Sequence, residues 1–485
     1  MSISSALTSA LTGLTASSRM AEVTASNVSN ALTEGYARRE VQLSARLIGQ
    51  ASVGVAITGI TRSVDRVLVQ DLRLSTAGQG ARSTTFDFLA RLEQAVGVPD
   101  QAGSLSSRIA TLERTLIEAA ARPEVEARLV AIVDAARSLT LGLGEISKTI
   151  GSERQTADTR IAADVKQVND ALRGVADLNI RITAFKVAGR DTSALIDQRQ
   201  QLVDSISAIV PVKEVPRNHD QIALFTAGGT VLLDGRPVQL GFTPTGVITP
   251  DMTIGSGALS ALTINGQPVT TAPNGGRLGE GRLAALFDLR DRLAPEAQAK
   301  MDALARDLME RVSSPTVDPT LTAGLPGLFT DRGAAFDPAD ETGLAGRLQI
   351  NNLVFPEMGG ALWRLRDGLG AMTPGPGGAS ERLLALSTAL SERRPQASGG
   401  LGAASRSLAE FATDIASLHS VQRLGAEAGS AFATARSDTL RSELLKAGVD
   451  TDQEMQNLLL IEKAYAANAK VIQTVDDMIK ILLGM

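Results

Sequence analysis

His219 and His419 are the only imidazoles in the chain, and there is no cysteine. Disulfides and thiolate metal sites are therefore excluded. A histidine metal site needs further ligands at fixed spacing, and neither histidine has Asp, Glu or His so placed. Both read as surface or capping side chains. "GEGRLA", Gly279 to Ala284, matches the G-x-G-x-x-A pattern that cradles a dinucleotide pyrophosphate. That chemistry needs a preceding strand, a parallel βαβ unit and an acid about 20 residues on, at the end of a second strand. Asp302 has the spacing but belongs to the same helical stretch, so the glycines read as a turn into a helix. "GSG" at 255–257 lacks the G-x-S-x-G of a nucleophile elbow, and no Walker loop occurs. Asp288, Arg290, Asp291 and Arg292 read as a solvated helix face whose local ion pairs are each worth a few tenths of a kcal/mol. Trp363 reads as a packing anchor for a loop. No catalytic, cofactor-binding or metal-binding constellation emerges.

The elements that would carry these residues are mostly helical. Alanine and leucine are good helix formers, and the chain has 44% hydrophobic but only 3% aromatic residues. Its 485 residues suggest about three domains. A net charge of −5 gives no reason to expect nucleic acid. No apolar run approaches the ~18 residues of a membrane span. The first basic residue is Arg19, so the N-terminus lacks the pattern of a Sec signal.

Ile3, Leu7, Ala10, Leu14, Ser17, Ala21, Thr24 and Val28 are spaced alternately 4 and 3 apart, a heptad seam over a helix at about 3–28. A second seam closes the chain: Leu458, Ile461, Tyr465, Asn468, Ile472, Val475, Ile479 and Leu482. Thr451 and Glu454 in "TDQE" have capping-box spacing ahead of it. Both seams carry polar residues, so we expect the terminal helices to pair and to be poorly ordered until they pack in an assembly. Residues 80–122, 124–149 and 153–188 read as helices. The third has a seam of Ile161, Val165, Val168, Leu172, Val175, Asn179 and Ile182, and ends at Gly189. Another helix follows within 191–210.

From Pro211 the pattern turns to β, with Asp234-Gly235 and Asn265-Gly266 as hairpin signals. Helix returns at 282–312 and 379–447, the latter broken around Pro395 to Gly402. The expected fold class is mainly α with an inserted antiparallel β domain, elongated, with paired N- and C-terminal helices. Its expected parts are 1–45 with 448–485 as a terminal coiled coil, and 46–210 with 281–312 and 379–447 as a helical shaft. Residues 211–280 form the β domain, and 313–378 a loop-rich segment packed on the shaft.

"ASNVSNALTEGYARR", residues 25 to 39, interrupts this plan and holds Tyr36, one of only two tyrosines. Asn27, Asn30, Thr33, Gly35 and Tyr36 read as a corner. Asn30 would end the helix in a left-handed conformation, Gly35 would turn the chain, and Tyr36 would pin the exit by burying its ring.

"SALTGLTASSRMAEVTASNVSNALTEGYARREV" resembles the N-terminal signature of bacterial flagellar rod, hook and hook-associated axial proteins, with Ala25, Asn27, Asn30, Thr33, Gly35 and Tyr36 at the matching positions. "EMQNLLLIEKAYAANAKVIQTVDDMIKILL" resembles their C-terminal signature, with Ala464 to Ile472 as its core; Glu462-Lys463 stands where the family often has glutamine. Rod and hook members usually carry phenylalanine after the glycine. The tyrosine, with "LIDQRQQLVDSIS", "GRLAALFDLRDRLAPEAQAKMDALA" and "LQINNLVFPEMGGALWRLRDG", is similar to the hook-associated branch at the hook–filament junction. The resemblance implies a non-enzymatic structural component of the flagellum, outside the cell. It also implies export through the flagellar type III apparatus and self-assembly through the terminal helices. Implied partners are further copies in a ring at the hook tip, the hook protein, the next junction protein, the export apparatus and a cytosolic export chaperone at the C-terminal helix; no nucleic acid or membrane is implied. The alternatives are a hook or rod protein of the same family and, more distantly, a soluble helical ligand-binding protein or enzyme. Helical segments at 153–188 and 282–312 argue against the hook protein, whose body is largely β.

Overall fold

Long apolar periodicities become long helices. The computed structural model describes residues 3–33, 35–48, 51–99, 101–272, 276–482 and 484, and it is mainly α with small antiparallel sheets. Helix α1 (Ile3–Ser29) leads through the corner into a two-stranded ribbon, β1 (Arg38–Ile48) and β2 (Ala51–Ser63). Then come α2 (Arg66–Val96), α3 (Leu105–Ala121), α4 (Glu126–Val187) and α5 (Ser193–Ser207). A four-stranded sheet follows, β3 (Val212–Pro216), β4 (Ile222–Thr226), β5 (Val231–Asp234) and β6 (Arg236–Pro237), in sequential order. Next is a three-stranded sheet of β7 (Leu240–Gly241), β8 (Thr263–Ile264) and β9 (Gln267–Pro268). Helices α6 (Arg282–Asp288) and α7 (Ala294–Val312) are joined by a π turn at Leu289–Leu293. The small ladder of β10 (Phe329–Asp331) with β11 (Leu348–Ile350), then α8 (Arg364–Asp367) and α9 (Glu381–Ser391), precede β12 (Arg394–Pro395) paired with β13 (Ser405–Arg406). The chain closes with α10 (Leu408–Lys446) and α11 (Thr451–Leu482).

Helix α4 is the axis. At 1.5 Å per residue its 62 residues run roughly 93 Å. All seven of its seam positions from Ile161 to Ile182 are buried, and Gly189 (φ 67°) closes it with Arg190 N–H on Phe185 O and Gly189 N–H on Lys186 O. One continuous apolar core joins α2, α3, α4, α6, α7, α9 and α10 to β4, β5, β10 and β11. The β region and the segment around 313–378 are thus plastered onto the same core as the helices. Both hairpin signals fold as turns: Gly235 has φ 76°, and Asn265 and Gly266 have φ 51° and 79°.

Four local expectations are corrected. The ribbon β1–β2 stands where we expected the shaft to begin; its mixed polar and apolar residues carry only weak alternation. Helix α2 starts at Arg66, not near 80, capped by Asp65, whose side chain accepts from the N–H groups of Val67 and Leu68. The helix expected over 80–122 breaks at Gly97, Pro99 and Gly103. The stretches 124–149 and 153–188 are one helix. Gly151 costs about 1 kcal/mol of helix propensity, too little to break a helix buried against the core on both flanks.

Candidate functional site

The corner at residues 27–39 is where the terminal helices meet the body. Helix α1 packs against α11 and also against β1 and β2. Asn27 faces Glu454 and Gly13 faces Asn468, so α1 and α11 run antiparallel. A Cβ on Gly13 would lie 2.8 Å from the Asn468 amide, so glycine makes room for that side chain.

The expected seam residues fall unevenly. Ile3, Leu14, Ala21 and Val28 are half-buried and Leu7 is 37% exposed, whereas Ala10, Ala16, Ser17, Val23, Thr24 and Asn27 lie deepest. Ala10, Ser17 and Thr24 belong to the expected seam; a heptad seam assumes one partner, but α1 has two, the ribbon and α11, so Ala16, Val23 and Asn27 beside the seam are covered as well. On α11, Ile461 and Val475 are buried and Leu458, Asn468, Ile472 and Ile479 half-buried. Tyr465 is 44% exposed, and the Leu482 side chain lies outside the described residues.

Asn27 is the hub of the corner. It is 1% exposed. Its Nδ2 donates to Arg39 O at 2.9 Å and Glu454 Oε2 at 3.1 Å. Its Oδ1 accepts from the Tyr36 hydroxyl at 2.9 Å and from Arg39 N–H at 3.0 Å. A buried amide with both ends satisfied specifies one geometry. Gly35 has φ 81°, a region that a side chain strains. Tyr36 is half-buried, with the Arg39 guanidinium 4.7 Å from its ring centroid.

Asn30 is not left-handed: its N–H continues the helix to Ser26 O, and its side chain caps, Nδ2 to Ser26 O and Oδ1 from the Thr33 hydroxyl. Its own short side chain closes the last turn, so no left-handed residue is required there. Glu454 is no capping-box acid either. Asp450 caps α11, its Oδ1 accepting from Asp452 and Gln453 N–H, while Glu454 turns inward, 2% exposed, and accepts from Arg38 Nε at 2.6 Å. That hydrogen bond is the main reason the Arg38 pKa is raised. Arg39 and Arg62 both bind Asp197 of α5, at 2.6 and 2.5 Å. Sequence reasoning missed Arg38, Arg39, Arg62, Asp197 and Glu454 as corner residues. The Arg-Arg pair next to a rare tyrosine was the available signal; the partner carboxylates lie far along the chain.

The residues weighed for chemistry are absorbed into the body. His219 is exposed with φ 58°. His419 is not at the surface but 2% exposed on α10. Burial, then the charge of Lys300, pushes its pKa down to about 4. Arg290 does not lie on a solvated face: it is fully buried, inside the π turn that carries the backbone past Pro295, and pairs with Asp158 and Asp291. Arg154 beside it binds the carbonyls of Arg290, Thr249, Pro250 and Met252. Gly279 to Ala284 form a turn into α6, and Asp302 lies in α7, accepting from Gly343 and Ala345 N–H at 2.7 and 2.9 Å. Burial raises its pKa to about 6.

Residues 89–315 match the family model for the flagellar hook-associated protein FlgK helical domain, and residues 443–485 that for the flagellar basal body rod FlgEFG protein C-terminal. Flagellar hook-associated protein 1 of Bacillus subtilis (strain 168) is 26% identical over 250 residues, covering 48% of this chain and 49% of that one. The protein of the same name from Salmonella typhimurium is 23% identical over 240 residues, covering 48% and 43%. That from Escherichia coli (strain K12) is 22% identical over 240 residues, covering 48% and 44%. The chain spans about half the length of the curated relatives it matches. Among solved structures, the flagellar hook junction protein FlgK from Burkholderia pseudomallei aligns at 21% identity with a TM-score of 0.44, covering 54% of this chain and 46% of that one. A hook-associated helical domain matches in the body, an axial C-terminal segment matches over α11, and the curated relatives carry one name: over these stretches the chain is similar to flagellar hook-associated protein 1.

Proposed function

We propose that the chain is a structural component of the flagellum at the junction of hook and filament, exported by the type III apparatus and assembled there through α1 and α11. Its role is mechanical rather than catalytic. The observation that carries this reading is the uncovered apolar surface of the terminal pair. Leu11 on α1 and Met455, Leu459, Leu460, Val471, Met478 and Ile481 on α11 are all exposed. Two helices alone cannot cover each other's apolar sides, so the pair completes its burial against neighbouring copies in a ring at the hook tip. The hook protein and the next junction protein flank that ring, and a cytosolic chaperone covers α11 before export.

The test is to localise a tagged copy on purified hook–basal bodies. A short zone at the distal hook tip is expected. Label spread along the hook would favour a hook protein, and label on the rod a rod protein; either overturns the proposal.

A further inference from the structure

β1 opens with two arginines that the strand sends to opposite faces. Arg38 Nε donates to Glu454 Oε1 of α11 at 2.6 Å, and Arg39 Nη2 donates to Asp197 Oδ2 of α5 at 2.6 Å. Directly opposite Arg39 in the ladder stands Arg62 of β2, whose Nη2 donates to Asp197 Oδ1 at 2.5 Å. Like charges facing each other across a ribbon repel; the one carboxylate between them offsets that repulsion. The backbone of Arg39 is gripped from the other side by the Asn27 amide, which also donates to Glu454. One bonded set therefore touches α1, α11, both strands of the ribbon and α5. The three arginines are 14–20% exposed, so solvent and salt screen these pairs less than surface pairs.

We infer that this set is a conformational coupler: seating α11 on α1 and seating the ribbon on α5 are one cooperative event. Undocking α11 removes Glu454 from Arg38 and from the Asn27 amide that holds the Arg39 backbone, so both arginines lose a neighbour that positions them and the Asp197 clasp loosens. Coupling is reciprocal, so loosening the clasp weakens α11 docking by the same factor. Arg38 and Arg39 are positioning residues that transmit the state of the C-terminal helix to the body. The inference concerns the chain's own fold and does not rest on the junction role.

Hydrogen exchange on the full chain tests it, in wild type, Glu454→Gln, Asp197→Asn and the double variant. Amides of α4 between Ala157 and Ile182 report that the body is intact. Glu454→Gln is expected to speed exchange at Arg62 and along Leu195–Arg199, about tenfold, although residue 454 touches neither. Asp197→Asn is expected to speed exchange along α11 between Leu458 and Val475. The double variant should be no faster than the faster single one. Effects confined to the mutated element, with logarithms that add in the double variant, would overturn the proposal. Should Asp197→Asn also expose α4, Glu454→Gln decides alone: wild-type exchange at Arg62 and Leu195–Arg199 in that variant refutes the coupling.

Discussion

Arg290 Nη1 and Asp158 Oδ1 pair at 2.7 Å with neither side chain exposed to solvent. The guanidinium also lies 5.0 Å from the Phe287 ring centroid and 5.4 Å from that of Phe242, and it donates to Ser260 O and to Asp291. Asp158 in turn accepts the Thr245 N–H at 2.7 Å. The pair ties α4, the π turn, the loop carrying Thr245 and the segment before β8 into one geometry.

Arg290→Met should therefore destabilise the body by about 3–5 kcal/mol at neutral pH, because it strands a buried carboxylate. Urea unfolding at pH 7 checks this. A variant as stable as wild type at pH 7 would mean the pair contributes nothing net.

His419 makes stability fall on acidification. Its pKa is lowered to about 4 in the fold, against about 6.5 unfolded. Between those values the unfolded chain takes up a proton that the fold refuses, so stability drops from about pH 6.5 to pH 4, by up to about 3 kcal/mol. Asp302 opposes this, because its folded pKa is raised to about 6 and the fold gains relative to the unfolded chain as pH falls from 6 toward 3.8. His419→Phe should remove the first effect: its melting temperature, compared with wild type, should improve between pH 7.5 and pH 5. An unchanged difference at the two pH values would show that His419 does not titrate with folding.

Gly35→Val should impair the corner and spare the body. Valine at φ 81° is strained by about 1–3 kcal/mol, and its Cβ would lie 2.9 Å from Gln201 Cγ. Gly35→Ala should show a smaller effect of the same sign. The check is thermal melting of the body alongside motility of cells carrying each variant. Normal motility with Gly35→Val would refute the corner's role in assembly.

The terminal helices should exchange their amides faster than α4 in the isolated chain, with measurable protection where α11 docks on α1. Among the described residues of α11, only Glu454, Ile461 and Val475 are buried, whereas α4 is buried along most of its length. Hydrogen exchange on soluble protein is expected to protect α4 far more than residues 3–28 and 455–482. Protection of the terminal pair equal to that of α4 would show that they need no assembly to order them.

The chain alone established what depends on local pattern. Helix class, the seam from Ile161 to Ile182, the stop at Gly189 and the turns at Gly235 and Asn265-Gly266 follow from periodicity and backbone sterics over a few residues. So does the position of the corner, because Gly35 and Tyr36 announce a turn by their types. Tertiary structure decided which polar side chains are buried and with whom. Arg290 looks like a surface charge among its neighbours in sequence, and Glu454 looks like a helix cap, because the carboxylate or guanidinium that satisfies each lies over a hundred residues away. A charge can be buried only where a distant partner arrives at the right distance. For the same reason the covered face of α1 extends beyond its heptad to Ala16, Val23 and Asn27: a sequence shows that a helix has an apolar stripe, but only packing sets how many neighbours share it.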